Sequence, residues 1–163
     1  MALTYIRAGQ LDKAEAVCRA SLEEARQLDK NSAHTARVLG DLGKVLLDQK
    51  KPAEAEPFLR ECLAIRAKTV PDAWLTFNTR SLLGGAMLGQ KKHADAEALL
   101  LQGYEGMKKR EKSIPPQAKI NLSNALDRLI ELYTATNQPG ELKKWQAERA
   151  NYPSAHPKAH EKK

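Results

Sequence analysis

LGKVLLDQKKPAEAEPFL, at residues 42–59, recurs without a gap as LGGAMLGQKKHADAEALL at residues 83–100, which is an offset of 41 residues. Moving back by the same offset finds YIRAGQLDKAEAVC at residues 5–18. Moving forward finds LIELYTATNQPGELKKW at residues 129–145, where the offset grows to 46 residues around the longer connection KSIPPQAK. Self-similarity at a fixed period indicates a chain built from stacked copies of one structural unit.

The apolar positions predict that each unit is a pair of helices. The first helix of the second unit carries an apolar stripe with spacings of three and four, made by Val38, Leu39, Leu42, Val45 and Leu46. Its partner helix carries Ala55, Phe58, Leu59, Cys62, Leu63 and Ile65. A single helix pair cannot bury such a stripe, so successive pairs must stack on one another.

Turn and cap signals mark the helix ends. Pro52 stands where a second helix should begin, because the first residue of a helix needs no amide hydrogen. Ser32 and Asp72 are predicted to cap first helices. His34 falls in the first turn of a helix, and His93 lies at the start of a second helix.

Gly84 and Gly89 enclose four residues, as the glycines of a phosphate-binding loop do. Such a loop requires Lys and then Ser or Thr next, whereas this chain continues with Gln90 and Lys91. Gly84 also occupies the repeat position of Gly43. We therefore interpret these glycines as sites where two helices approach closely.

Composition favours an all-α protein without catalytic machinery. Aromatic residues make up 5% of the 163 residues, and the formal net charge is +7. Cys18 and Cys62 fall within apolar helical patterns and are expected to be buried free thiols. We find no apolar run of membrane-spanning length, signal peptide, nucleophile motif, metal-ligand set or cofactor motif, and we expect a cytoplasmic, non-enzymatic protein.

Leu42-Gly43, Leu46, Ala55, Leu59 and Cys62 together resemble the tetratricopeptide repeat, and the 41-residue period is similar to the longer repeats of kinesin light chains. The later units are also similar to repeat arrays at the C-terminal end of bacterial serine/threonine protein kinases. The resemblance implies a right-handed α-α superhelix of about seven to eight helices. We divide it into residues 1–30, a truncated first unit, then 31–70, 71–113 and 114–152, with a disordered tail at 153–163 that includes His156 and His160.

The resemblance also implies a concave groove that binds a peptide or partner domain. Position by position, its lining would be Arg37, Gly40, Asp41, Lys44 and Asp48, then Asn78, Ser81, Leu82 and Gly85, then Asn124, Asp127, Arg128 and Glu131. The chain lacks the paired asparagines and the complete basic clamp found in two classes of relatives, so the ligand class stays open.

Two alternative functions rest on other features. Lys50, Lys51, Lys91 and Lys92 occupy equivalent turns and would form a basic edge for acidic protein segments or nucleic acid, although no aromatic residues are interleaved for base stacking. The first unit would leave Leu3, Tyr5, Ile6 and Leu11 uncovered, which predicts self-association. Glu15, Glu56 and Glu97 recur at the repeat period, which indicates structural pairing.

Overall fold

The computed structural model of the protein describes residues 2–152, and the regular secondary structure of these residues is entirely helical. The eight α-helices are α1 (Ala2–Arg7), α2 (Leu11–Asp29), α3 (Ala33–Asp48), α4 (Pro52–Thr69), α5 (Trp74–Gly89), α6 (His93–Lys109), α7 (Ile120–Ala135) and α8 (Pro139–Arg149). Two 3₁₀ helices, Glu111–Ser113 and Pro116–Ala118, form the longer connection between α6 and α7.

The same tight turn joins the two helices of every unit. One residue in each turn has a positive φ, and these residues are Gly9 (69°), Lys50 (63°), Lys91 (62°) and Asn137 (53°). In the second turn, the amide of Lys51 donates to the carbonyl of Leu46 at 2.8 Å. This bond, with the left-handed residue before its donor, ends α3 in the manner common for helix C-termini.

Two of the three predicted helix starts are confirmed. Pro52 is the first residue of α4, and the hydroxyl of Ser32 accepts a hydrogen bond from the amide of Thr35 at 3.1 Å, which caps α3. The prediction for Asp72 is wrong. The cap residue of α5 is Ala73, and the Asp72 carboxylate instead accepts from Nη2 of Arg110 at 3.1 Å, because the end of α6 places a guanidinium beside it.

Gly43 and Gly84 let the helices of a unit approach closely, as predicted. A Cβ on Gly43 would lie 2.5 Å from Cγ of Leu59, and a Cβ on Gly84 would lie 2.8 Å from Cγ of Leu100. Leu59 and Leu100 are themselves repeat equivalents. A larger residue at either glycine would therefore separate α3 from α4, or α5 from α6.

The apolar stripes merge into one core that runs from α2 to α8. Val38, Leu39, Leu42, Val45 and Leu46 are all buried in it, and so are both free thiols, Cys18 and Cys62. The last helix is polar and buries only Trp145, whose ring packs edge-on against Tyr104 with centroids 5.5 Å apart.

First helices form the inner layer of the superhelix. α3 contacts α5 and α5 contacts α7, whereas the second helices of neighbouring units make no comparable contacts. A hollow of about 350 Å³ lies between α2 and α4 on the outer side, next to Phe58. The inner layer is therefore the concave face of the described array.

Recurring glutamates tie each unit to the next. Glu15 binds Nζ of Lys51 at 3.0 Å, and its equivalent Glu56 binds Nζ of Lys92 at 2.9 Å. Arg19 and then Lys51 hold the pKa of Glu15 at about 2, and Lys92 and then Arg60 do the same for Glu56. The glutamates thus form inter-unit contacts, and the structure confirms that their recurrence is structural.

The first unit is only partly covered. α1 has no buried residue and the side chain of Leu3 is 58% exposed, while Tyr5, Ile6 and Leu11 are partly buried. The predicted tail at residues 153–163 lies outside the described residues.

Candidate functional site

Residues of three inner helices, together with the turn before α4 and the first residue of α4, line a pocket of about 310 Å³ on the concave face. It lies between the second, third and fourth units and is lined by Leu47, Asp48, Lys50, Pro52, Gly85, Gly89, Arg128 and Glu131. The groove positions Asp48, Gly85, Arg128 and Glu131 thus come together with Lys50 of the basic edge. Sequence reasoning missed Leu47, Pro52 and Gly89, because they meet only through the curvature of the array.

Arg128 crosses from α7 to α5. Its side chain is half-buried, and Nη1 donates to the hydroxyl of the buried Ser81 at 3.1 Å. A Cβ on Gly85 would lie 2.9 Å from Cδ of Arg128, so the glycine makes room for the arginine stem. Burial lowers the pKa of Arg128, and the nearby Asp48, Asp127 and Glu131 act in the opposite direction.

Several groove acids already have basic partners on the same or the next helix. Asp41 pairs with Arg37 at 3.3 Å, Asp48 pairs with Lys44 at 2.6 Å, and Asp127 pairs with Arg149 of α8 at 2.7 Å. Burial raises the pKa of Asp41, although Arg37, Arg66 and Lys44 oppose the shift. These pairs leave the guanidinium of Arg128 without a carboxylate within 4.0 Å among the described residues.

Asn78 carries a buried polar atom in the inner layer. Its Oδ1 is shielded from solvent and accepts no hydrogen bond from any described residue. Leaving a buried acceptor unpaired costs about 1–3 kcal/mol. Asn78 lies seven residues before Gly85 on α5, so both residues belong to the groove face of that helix. Of the other predicted groove residues, Leu82 is buried and Asn124 is partly buried.

The four lysines of the basic edge divide into two kinds. Lys51 and Lys92 bind the recurring glutamates of the preceding unit. Lys50 and Lys91, the residues with positive φ, are exposed and make no ion pair with any residue of the described chain. The edge therefore offers fewer free cations than its sequence indicates.

Arg66 is a buried cation that the sequence reasoning missed. It is 8% exposed, and its Nη1 donates to Oγ1 of Thr79 at 2.7 Å and to the carbonyl of Leu75 at 3.1 Å. These bonds fix α4 against α5. A usable signal was present in the sequence, because the equivalent position in the next unit holds an apolar residue, Met107, which the structure shows to be fully buried.

No helix in the described part of the chain is both long and apolar enough to cross a membrane.

Comparisons with known proteins agree with this geometry. The family model of the tetratricopeptide repeat matches residues 1–68. A solved kinesin light chain of Podosopora anserina with nearly identical TPR-like repeats superposes with a TM-score of 0.72 at 20% identity, covering 96% of this chain and 75% of that one. BtubC (BKLC) of P. vanneervenii superposes with a TM-score of 0.73 at 15% identity, covering 97% of this chain and 65% of that one.

No curated protein matches the sequence. At such low identity the structural matches define the fold, and the family pattern lies in the first two units. The chain is a helical-repeat protein with the tetratricopeptide-repeat fold, and its residues 1–68 match the tetratricopeptide repeat family.

Proposed function

We propose that the protein is a non-enzymatic interaction scaffold of the cytoplasm that binds a peptide segment of a partner protein along its concave face. Tetratricopeptide-repeat folds generally serve as protein–protein interaction scaffolds, and this fold is shared by the chain. The observation that carries the proposal is the pocket of about 310 Å³ on the concave face, where residues of α3, α5 and α7 come together. An extended peptide presents side chains at regular intervals, and one of them can enter this pocket.

Two further observations support a peptide. The half-buried guanidinium of Arg128 lines this pocket and forms no ion pair with a described residue. Lys51 and Lys92 are engaged by Glu15 and Glu56, which weakens the alternative of a nucleic-acid-binding edge. Phosphate binding by the remaining lysines would depend steeply on salt.

The test is a selection of random dodecapeptides displayed on phage, followed by fluorescence titration of the selected peptides. The double variant N78A/R128A should lose at least tenfold in affinity, because it removes two polar side chains from the groove face of α5 and α7. The matched control Q102A/R60A changes an amide and an arginine exposed on the outer helices, and its affinity should stay within twofold of wild type. Equal affinity for the wild type and the groove variant would contradict the proposal.

A further inference from the structure

Arg128 is the half-buried cation of the pocket, and it lacks a counter-ion, whereas the other unpaired cation, Lys50, is exposed to solvent. The one hydrogen-bond acceptor of the Arg128 guanidinium among the described residues is the neutral hydroxyl of Ser81, and no described carboxylate lies within 4.0 Å. A guanidinium has five N–H donors in a planar fork that matches a carboxylate. Holding such a group in a partly dry site without an ionic partner is unfavourable, so the site is prepared for an anion.

The charges around the pocket sum to a single positive charge. Arg128 and Lys50 line it together with the acids Asp48 and Glu131, and Lys44 is bound to Asp48 at 2.6 Å. Asp127, which is also close to Arg128, is neutralised by Arg149 at 2.7 Å, so these three cations and two acids leave one positive charge uncompensated. A ligand group with one negative charge neutralises this set, whereas a phosphate dianion would leave it negative and would face two carboxylates.

The space beside Arg128 is specific to the third unit. The residues at the position of Gly85 in the second and fourth units are Lys44 and Glu131, both of which project charged side chains. Because Gly85 has no side chain, the stem of Arg128 can cross the surface of α5 at this position, and its Cδ lies 2.9 Å from where a Cβ of residue 85 would be. The pocket therefore exists because one unit departs from the pattern of its neighbours.

We propose that Arg128 receives one side-chain carboxylate, from an internal Asp or Glu of the bound peptide, and that Asp48 and Glu131 exclude phosphorylated side chains from the same pocket. This inference rests on the proposed function, since it assigns the chemistry of one position in the peptide. Arg128 acts as a specificity-determining residue, and Gly85 acts as a positioning residue for it.

The experiment uses the strongest peptide from the display selection, acetylated and amidated so that side chains carry its only carboxylates. Three versions are titrated against the wild type: the acidic peptide, its Asn or Gln isostere, and a phosphoserine replacement. We expect the wild type to bind the acidic version about tenfold more tightly than the other two. The amide isostere loses the charge-assisted bidentate hydrogen bonds to Arg128, and the phosphoserine version is repelled by Asp48 and Glu131.

Variants then test whether Arg128 causes the preference for the acidic peptide over its amide isostere. R128Q should bind the acidic and amide versions within twofold of each other, and G85A should reduce the preference without changing any charge, because its methyl displaces the Arg128 stem. R60Q, which removes an exposed arginine from the outer helix α4, should keep the full tenfold preference. Circular dichroism verifies that each variant is folded. If R128Q does not fold, the loss of the acid preference in G85A tests the proposal instead.

The outcomes separate the two proposals. If selected peptides bind the groove but R128Q keeps the acid preference, or if no acidic position emerges from the selection, the inference about Arg128 is wrong and the scaffold function stands. If the selected peptides bind N78A/R128A as well as wild type, the groove function itself fails. Equal or tighter binding of the phosphoserine version overturns the role assigned to Asp48 and Glu131.

Discussion

Replacing Gly43 or Gly84 by alanine should destabilise the array by a similar amount at both positions. The added methyl would lie 2.5 Å from Cγ of Leu59 in the first case and 2.8 Å from Cγ of Leu100 in the second. Carbon atoms in contact are normally about 3.5–4.0 Å apart, so each leucine would have to shift by about 1 Å. At Gly84 the methyl would also lie 3.1 Å from the backbone nitrogen of Leu100, which restricts relaxation.

The net effect is the difference between two opposing contributions. Overpacking of a well-packed site costs about 1–3 kcal/mol. Alanine is favoured over glycine in a helix interior by about 1 kcal/mol, which offsets part of that cost. The difference ranges from about zero to about 2 kcal/mol. Because the contacts of 2.5 and 2.8 Å are far below the normal carbon–carbon separation, we expect each variant to lower the free energy of unfolding by about 1–2 kcal/mol, in the upper half of that range.

Urea unfolding followed by circular dichroism at the helix band measures this loss. Gly140→Ala is the matched control, because a Cβ at Gly140 would meet nothing within 4 Å, and this variant should lose no stability. Unchanged or increased stability of both Gly43→Ala and Gly84→Ala would refute the close helix approach. A large loss at only one of them would refute the equivalence of the two units.

Three further predictions concern the turns, the inter-unit bridges and the cap. Lys50→Gly and Lys91→Gly should each raise the free energy of unfolding by about 0.5–1 kcal/mol, because glycine adopts the φ of 63° at position 50 and 62° at position 91 without strain. Thermal or urea unfolding measures this gain, and a loss of stability would contradict the turn geometry. The pKa of the Glu56 carboxylate is held at about 2 against the usual 4.5, so the stability that its ion pair contributes is present above pH 4.5 and is lost as the pH falls toward 2. Urea midpoints measured across this pH range should therefore fall more steeply for wild type than for Glu56→Gln. Parallel curves for the two proteins would exclude the ion pair as a source of stability. Ser32→Ala should lower the free energy of unfolding by about 1 kcal/mol in the same assay, because the Thr35 amide loses its hydrogen-bond acceptor. Ser113→Ala, at an exposed position in the connection between α6 and α7, should change stability little. Equal losses for the two variants would argue against the cap.

The repeat made the helices and turns predictable from the sequence. An offset of 41 residues aligned Lys50 with Lys91 and Gly43 with Gly84, and the structure gives each pair the same conformation or packing. Periodicity constrains such positions because identical local geometry must recur in every unit.

Departures from the repeat were harder to predict. Glu97 of the third unit, the equivalent of Glu56, accepts from the hydroxyl of Tyr133 at 2.9 Å instead of from a lysine, because the position of Lys92 is occupied by Gln138 in the fourth unit. Asp72 was assigned to a cap because the position of Arg110, at the end of α6, could not be known from local sequence. These contacts depend on how far one unit is displaced from the next.

The candidate site likewise contains some contacts that the sequence could predict and others that it could not. The resemblance supplied the inner face of each first helix, yet it gave no account of which charges on that face neutralise one another. Lys44 and Asp48 form an ordinary pair four residues apart on one helix. The contact between Arg128 and Ser81 spans two units, and it depends on the absence of a side chain at Gly85.

The crystal structure of the protein with a display-selected acidic peptide tests the central claim most directly. Our account predicts an extended peptide along α3, α5 and α7, with a side-chain carboxylate on the guanidinium of Arg128 and the peptide passing over the groove face that carries Asn78. A peptide bound to the outer face, between α2 and α4 beside Phe58, with Asn78 and Arg128 untouched, would contradict it.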